Sequence, residues 1–373
     1  MIRVAKRITA AAVFIVVLLC GLLYYGKIFR PDSASEPGFD VWSWFYEEDD
    51  NTLDVVLLGS SAIYRYWAAP LAYEQQGFTS FVVAHPCQRF SATPLIIDEI
   101  ERSQNPDLIV VETRELLDRR SNDFSAEIDD EFLEKDMYRL SMLVSAMDYT
   151  ASRFEIIDEF LNRELESEIE WQIPILKYHE NWSTLPITTI EDRMHPQKHV
   201  YKSARLESYV QIFDEPDLSK YEYNPEYCLT QEDKKDIDDI VKKADEYGAE
   251  VLFISTPYIT DECMYSLQLS LNSYLEEMNY DYIDLNEYAS EMQIDYERDF
   301  YNNRHMNVYG AQKVTKFSAK FIAERYDFDN VMLTNEQASE WQEVCKVYDE
   351  YAKRQEDKAD EHYMEAKIAL QMD

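Results

Sequence analysis

Five short apolar runs punctuate the chain: LDVVLL (53–58), TSFVVA (79–84), DLIVVE (107–112), EVLFIS (250–255) and DYIDL (281–285). They read as near-continuous stretches without regular apolar–polar alternation. A strand with one wet face alternates, whereas a strand covered on both faces of a parallel sheet reads as an unbroken run. Stretches with helical spacing separate them: PLAYEQQG before the second run, PLIIDEIERSQNP before the third and TQEDKKDIDDIVKKADEYG before the fourth. The chain has only seven glycines, against a usual ~7% of residues, so their positions carry information. Gly77 and Gly248 each fall between a helix and the next strand, where a left-handed residue ends a helix. Gly59 follows the first run, and Gly310 follows a His-Met-Asn segment. The pattern predicts an α/β fold on a doubly wound, five-stranded parallel sheet.

A different pattern opens the chain. Arg3, Lys6 and Arg7 precede the 18 uncharged residues Ile8–Tyr25, which as a helix reach ~27 Å, close to the thickness of a hydrocarbon core. A cleaved export signal has a shorter apolar region and a small-residue cleavage site, and neither is evident. The denser basic cluster at the N-terminus predicts a single-pass anchor with a cytoplasmic N-terminus and an extracytoplasmic main domain. The expected divisions are therefore an anchor at 1–30, a Pro- and Ser-containing stalk at 31–50, the α/β domain at 51–330 and a C-terminal helix at 331–373. A long insertion, about 118–230, separates the third and fourth runs. It contains one apparent helix, EFLEKDMYRLSMLVSAMDY, and its second half reads as ordered loop; inserts of this length usually serve as lids or caps. In the C-terminal segment Thr334 and Gln337 form a helix-start box, followed by a stripe of Trp341, Val344, Tyr348, Tyr351 and Ala352. That stripe predicts docking of the first half, with the charged part beyond Gln355 free.

Composition narrows the function. The formal net charge is −37, from 73 acidic and 36 basic side chains, and such a surface repels phosphate backbones, which argues against nucleic-acid binding. With 28 tyrosines and 17 phenylalanines the charge does not signal disorder. The five cysteines, Cys20, Cys87, Cys228, Cys263 and Cys345, are scattered without a CxxC pair, so neither a structural zinc site nor a particular disulfide is predicted. His195 and His199 are four apart, but Pro196 between them argues against a two-His helix face. No metal and no cofactor is expected.

Candidate chemistry lies at the C-terminal ends of the strands, where open α/β sheets bind ligands. Gly59-Ser60-Ser61 ends the first strand, and Ser61 there is either a nucleophile or a helix cap. The segment ERDFYNNRHMNVYGAQKVT (297–315) follows the fifth strand and places His305 on the same rim, as a base for Ser61 or as a cap of the next helix. His85, just past the second strand, is a rival base. In the insertion, His179 and Trp182 of YHENW are candidates to line a substrate site, although Trp182 reads first as a buried anchor of the insertion.

In this order these segments resemble the SGNH (GDSL-like) hydrolases, in which a Gly-x-Ser after the first strand carries the nucleophile and an Asp-x-x-His before the last helix carries acid and base. The stretches LLGSSAIYRYWAAPLAYEQQG, NPDLIVVETRE, YHENW, EVLFISTPY and DFYNNRHMNVYGAQKVT cover most of residues 53–325. Together with the anchor they resemble the membrane-bound, cell-envelope branch that modifies teichoic acids and O-acetylates polysaccharides. The resemblance implies a flavodoxin-like SGNH fold, Ser61 as nucleophile and His305 as base. It also implies serine-dependent transfer of an acyl group, foremost acetyl, to or from an envelope glycan, with a membrane O-acyltransferase as partner. Two departures stand out. Asn302 occupies the position of the family's aspartate, leaving Asp299, six residues before His305, as an alternative source of charge. The usual oxyanion residues are replaced by AHPCQRF and VETRE, where Gln88 and Arg114 are the available donors. These departures keep open a second reading, a non-catalytic glycan-binding or assembly protein.

Overall fold

The computed structural model describes residues 2–32, 37–117, 130–161, 165–328 and 331–372. Its centre is a parallel sheet of five strands, β1 (Val55–Gly59), β2 (Ser80–Ala84), β3 (Leu108–Glu112), β4 (Glu250–Ser255) and β5 (Asp281–Asp284), in the order β2-β1-β3-β4-β5. Every residue of β1, β2 and β3 is buried, which is why their sequences do not alternate. Each fully buried Val, Leu or Ile there contributes about 1.5–3 kcal/mol relative to exposure.

Flanking helices form two groups by contact. Ser61–Tyr66, Ala69–Gln76, Val308–Arg325 and the C-terminal helix Asn335–Met372 pack together, and Thr93–Ile100 packs with Ala151–Leu161 and Gln231–Tyr247. Gly77 and Gly248 end their helices in the left-handed region, at φ 83° and 82°. Thr230 and Asp233 close a reciprocal capping box at the start of Gln231–Tyr247. Gly59 is demanded by proximity: at φ 147°, a Cβ there would stand 2.8 Å from Glu112 Cβ on β3.

Several features differ from the sequence reading. A two-stranded antiparallel hairpin, β6 (Phe300–Asn302) and β7 (His305–Met306), precedes the last sheet-flanking helix. It is too short to leave a periodic signature. The insertion is more helical than its sequence suggested: besides Asp130–Val144 it holds Ala151–Leu161, Leu165–Gln172, Ile175–Tyr178 and Ile187–Met194, while 118–129 lie outside the described residues. The segment read as a stalk is packed in its second half, with Phe39, Val41, Trp42 and Phe45 fully buried; positions 33–36 lie outside the described residues. The C-terminal helix is docked well past Gln355. Ala359 is buried, Arg298 pairs with Asp360 at 2.5 Å, His362 Nδ1 lies 2.8 Å from the Ser208 carbonyl, and Lys367 pairs with Glu297. Its second half is held by Ala359 and Tyr363, packed in a small apolar cluster with Val308 and Ala311, and by polar contacts that an apolar stripe does not register.

Among the described residues one helix, Arg3–Ile28, has the length and apolarity to cross a membrane, with a mean hydropathy of 2.4 over its most apolar window.

Candidate functional site

Ser61 is the first residue of the short helix that leaves β1, and His305 opens β7. They are 244 positions apart, yet Ser61 Oγ lies 2.7 Å from His305 Nε2. Two braces create that meeting. Thr315 on the Val308–Arg325 helix accepts from the Ala68 amide at 3.0 Å and donates to the Tyr66 carbonyl at 2.8 Å, tying that helix to the end of the serine helix. Glu207, from the insertion, accepts the Val308 amide on its carbonyl at 2.8 Å and pairs through its carboxylate with Arg65 of the serine helix. Gly310 lets the helix approach the hairpin, since a Cβ there would meet Met306 Sδ at 2.6 Å and the Asp299 carbonyl at 2.7 Å.

The tautomer of His305 follows from Asn302. Asn302 Oδ1 accepts the backbone N–H groups of Arg304 and His305 at 2.8 and 2.9 Å. Two main-chain donors fix that atom as the amide oxygen, because a terminal NH₂ would face them as a second donor. His305 Nδ1 is 3.1 Å from the same oxygen, so Nδ1 carries the hydrogen and Nε2 presents a lone pair to the Ser61 hydroxyl. Burial, and then the nearby Arg114, Arg65 and Arg304 guanidinium groups, hold His305 well below the usual histidine pKa. The ring is therefore neutral at pH 7. Tyr301 stacks beside it, ring centroids 5.5 Å apart, and Arg65 lies 5.0 Å over the Tyr301 ring.

The other candidates have different neighbours. Asp299 faces Lys313 at 2.6 Å and accepts the Asp295 amide at 2.7 Å, and burial raises its pKa. It is engaged away from His305, and Asn302 holds the place beside Nδ1. Arg114 is buried, with its guanidinium directed at main-chain carbonyls. Nη2 reaches Thr256 O at 3.0 Å, Thr256 Oγ1 at 2.8 Å and Pro257 O at 3.2 Å, while Nη1 donates to the Arg304 carbonyl. It bolts the β3 and β4 ends to the loop that carries His305. Gln88 Oε1 lies 3.0 Å from Nδ1 of His85, and His85 is fully buried with its pKa lowered to about 4 by burial. His179 is exposed, hydrogen-bonded through Nδ1 to the Leu176 carbonyl at 3.1 Å, and belongs to the segment beside the base of the anchor. Trp182 is 65% exposed rather than buried.

Sequence reasoning missed Glu207, Arg65, Tyr66 and Thr256. The Tyr66 hydroxyl donates to the Pro257 carbonyl at 2.5 Å and lies 3.0 Å from the Arg304 carbonyl, and Thr256 Oγ1 donates to Glu112 Oε1 at 2.9 Å. No local pattern distinguishes these residues, because each acts on a partner distant in sequence. Among the described residues no group of three or more His, Cys, Asp or Glu side chains is arranged to hold a metal ion. No protein-family model matches the chain, and no curated protein matches it either.

Proposed function

We propose that Ser61 and His305 form a nucleophile–base dyad, oriented by Asn302, that transfers acyl groups at a cell envelope. The observation that carries this is the 2.7 Å contact between Ser61 Oγ and a neutral imidazole whose lone pair faces the hydroxyl. Such a base accepts the hydroxyl proton as Oγ attacks an acyl carbonyl, and returns it to the leaving group as the tetrahedral intermediate collapses to a Ser61 ester. In the second half, His305 takes a proton from water or a glycan hydroxyl, which attacks the ester and restores Ser61. Acetyl is the favoured group, and the SGNH-like order of motifs assigns an envelope polysaccharide as acceptor or donor. The same resemblance assigns a membrane O-acyltransferase as supplier. An extracytoplasmic domain follows from the basic residues that precede the anchor.

A second reading, glycan binding without catalysis, is favoured by one feature. Among the described residues the charged groups acting on His305 are three arginines, so an imidazolium formed in the reaction is poorly stabilised. Labelling of the full-length protein with a serine-reactive fluorophosphonate separates the two. Catalysis requires labelling of the wild type that is lost in both Ser61→Ala and His305→Ala. A folded wild type that resists the probe refutes the dyad as an active nucleophile.

A further inference from the structure

The anchor helix does not leave the protein as a free stem. It is exposed from Arg3 to Cys20, half-buried at Gly21–Leu23, and buried at Gly26 and Ile28. Gly26 lies flush against the insertion, where a Cβ would stand 2.9 Å from Ile175 N and 3.1 Å from Pro174 Cβ. The Tyr149 hydroxyl donates to the Leu23 carbonyl at 2.9 Å, Lys27 pairs with Asp148 at 2.6 Å, and Asn181 Nδ2 donates to the Phe29 carbonyl at 3.0 Å. Arg193 adds bonds to the carbonyls of Ile28 at 3.1 Å and Pro31 at 2.7 Å. These contacts fix the helix axis relative to the insertion.

Length then locates the membrane boundary. The apolar stretch starts at Ile8, directly after Arg7. A hydrocarbon core of ~30 Å takes ~20 residues at ~1.5 Å each, so an upright helix meets the far boundary at about Lys27. Tilting shortens the rise per residue and moves that point further along the chain. Snorkelling by Lys6 and Arg7 moves it back by about one turn. Either way, Gly21–Leu23 and the Tyr149 contact at Leu23 fall at or inside the boundary, and the protein surface there cannot all stand in water.

Large apolar side chains lie on the outside of Ile175–Tyr178, which packs on the base of the anchor, of His179–Ser183, bonded to it through Asn181, and of Leu165–Gln172, which packs on Ile175–Tyr178. Ile169 is 56% exposed, Leu176 48% and Trp182 65%. On the anchor itself Tyr24 and Tyr25 are 46% and 48% exposed, and aromatic side chains concentrate at the membrane–water interface.

We infer that the insertion is seated in the membrane–water interface around the anchor, with Ile169, Leu176 and Trp182 against lipid. The partner of this surface is the bilayer itself. Seating of this kind fixes the orientation of the Ser61–His305 crevice relative to the membrane, and it does not depend on the acyl-transfer reading.

Trp182 is the exposed tryptophan of the chain; Trp42, Trp67, Trp171 and Trp341 are buried and Trp44 is half-buried. It therefore serves as a native probe. The test compares emission of the full-length protein in vesicles of phosphatidylcholine and phosphatidylglycerol with emission in vesicles whose phosphatidylcholine is brominated on the acyl chains. The Trp182 contribution is isolated by subtracting Trp182→Phe, and a second probe is Leu176→Trp in the Trp182→Phe background. Seating predicts that brominated lipid removes about half or more of the emission at one or both positions, with reduced quenching by aqueous acrylamide. Emission at both positions that ignores bromine and is freely quenched by acrylamide overturns the inference.

Discussion

Replacing Asn302 by aspartate tests the base assignment with one atom's change of chemistry. The three contacts of Asn302 Oδ1, to the amides of Arg304 and His305 and to His305 Nδ1, are all acceptor contacts, and a carboxylate oxygen makes each of them. What changes is charge, now 3.1 Å from Nδ1. At an effective dielectric of about 20 two unit charges at that distance attract by ~5 kcal/mol, offset by the cost of desolvating the new carboxylate. A neighbouring carboxylate typically raises a histidine pKa by roughly 1–3 units, or ~1.4–4 kcal/mol in favour of imidazolium. In the wild type, burial and three arginines depress the His305 pKa well below its ordinary value of 6.5. Labelling of Ser61 needs the neutral ring, so its rate falls only as pH drops through that depressed pKa. The acidic limb of the wild-type profile therefore lies below pH 6.5, and Asn302→Asp shifts it upward. If about half the proton is transferred in the transition state, the plateau rate rises roughly 3- to 30-fold in the variant. The assay is the rate of fluorophosphonate labelling against pH, with Ser61→Ala as blank. Identical acidic limbs in the two proteins, with Ser61 labelled in both, would refute either His305 as base or Asn302 as its partner.

Two further outcomes follow from the braces. Arg114→Met removes the donor shared by the carbonyls of Thr256, Pro257 and Arg304, leaving the Tyr66 hydroxyl to serve Pro257 and Arg304, and a buried acceptor left unpaired costs about 1–3 kcal/mol. A clear fall in Tm is expected by thermal denaturation, Arg114→Lys does not restore it because an ammonium lacks the planar fork, and an unchanged Tm sinks the bolt assignment. Ending the chain at Gln355 removes the Asp360, His362 and Lys367 contacts, so amide exchange in residues 295–309 should quicken while β1–β3 stay protected; equal protection in both proteins means the second half of the helix does not steady the His305 segment.

What the sequence determined is what short-range physics encodes. Unbroken apolar runs give doubly covered strands, Gly77 and Gly248 end helices because a left-handed residue is needed there, Thr334 begins a helix, and an apolar stretch after a basic cluster gives a helix long and apolar enough to cross a membrane. Each of these depends on residues within a few positions of one another. The tertiary structure decided everything that joins distant segments. Asn302 was visible as a departure, but only the fold shows two main-chain amides fixing its oxygen toward His305. Arg114 and Gln88 were eligible donors by position, yet the fold turns Arg114 toward carbonyls and pairs Gln88 with His85. Asp299 was an eligible carboxylate until Lys313, from the following helix, engaged it. The docked second half of the C-terminal helix and the embedded base of the anchor were equally hidden. Apart from a small apolar cluster at Ala359 and Tyr363, their bonds are polar or backbone-mediated, and such contacts leave no periodicity in the chain that makes them.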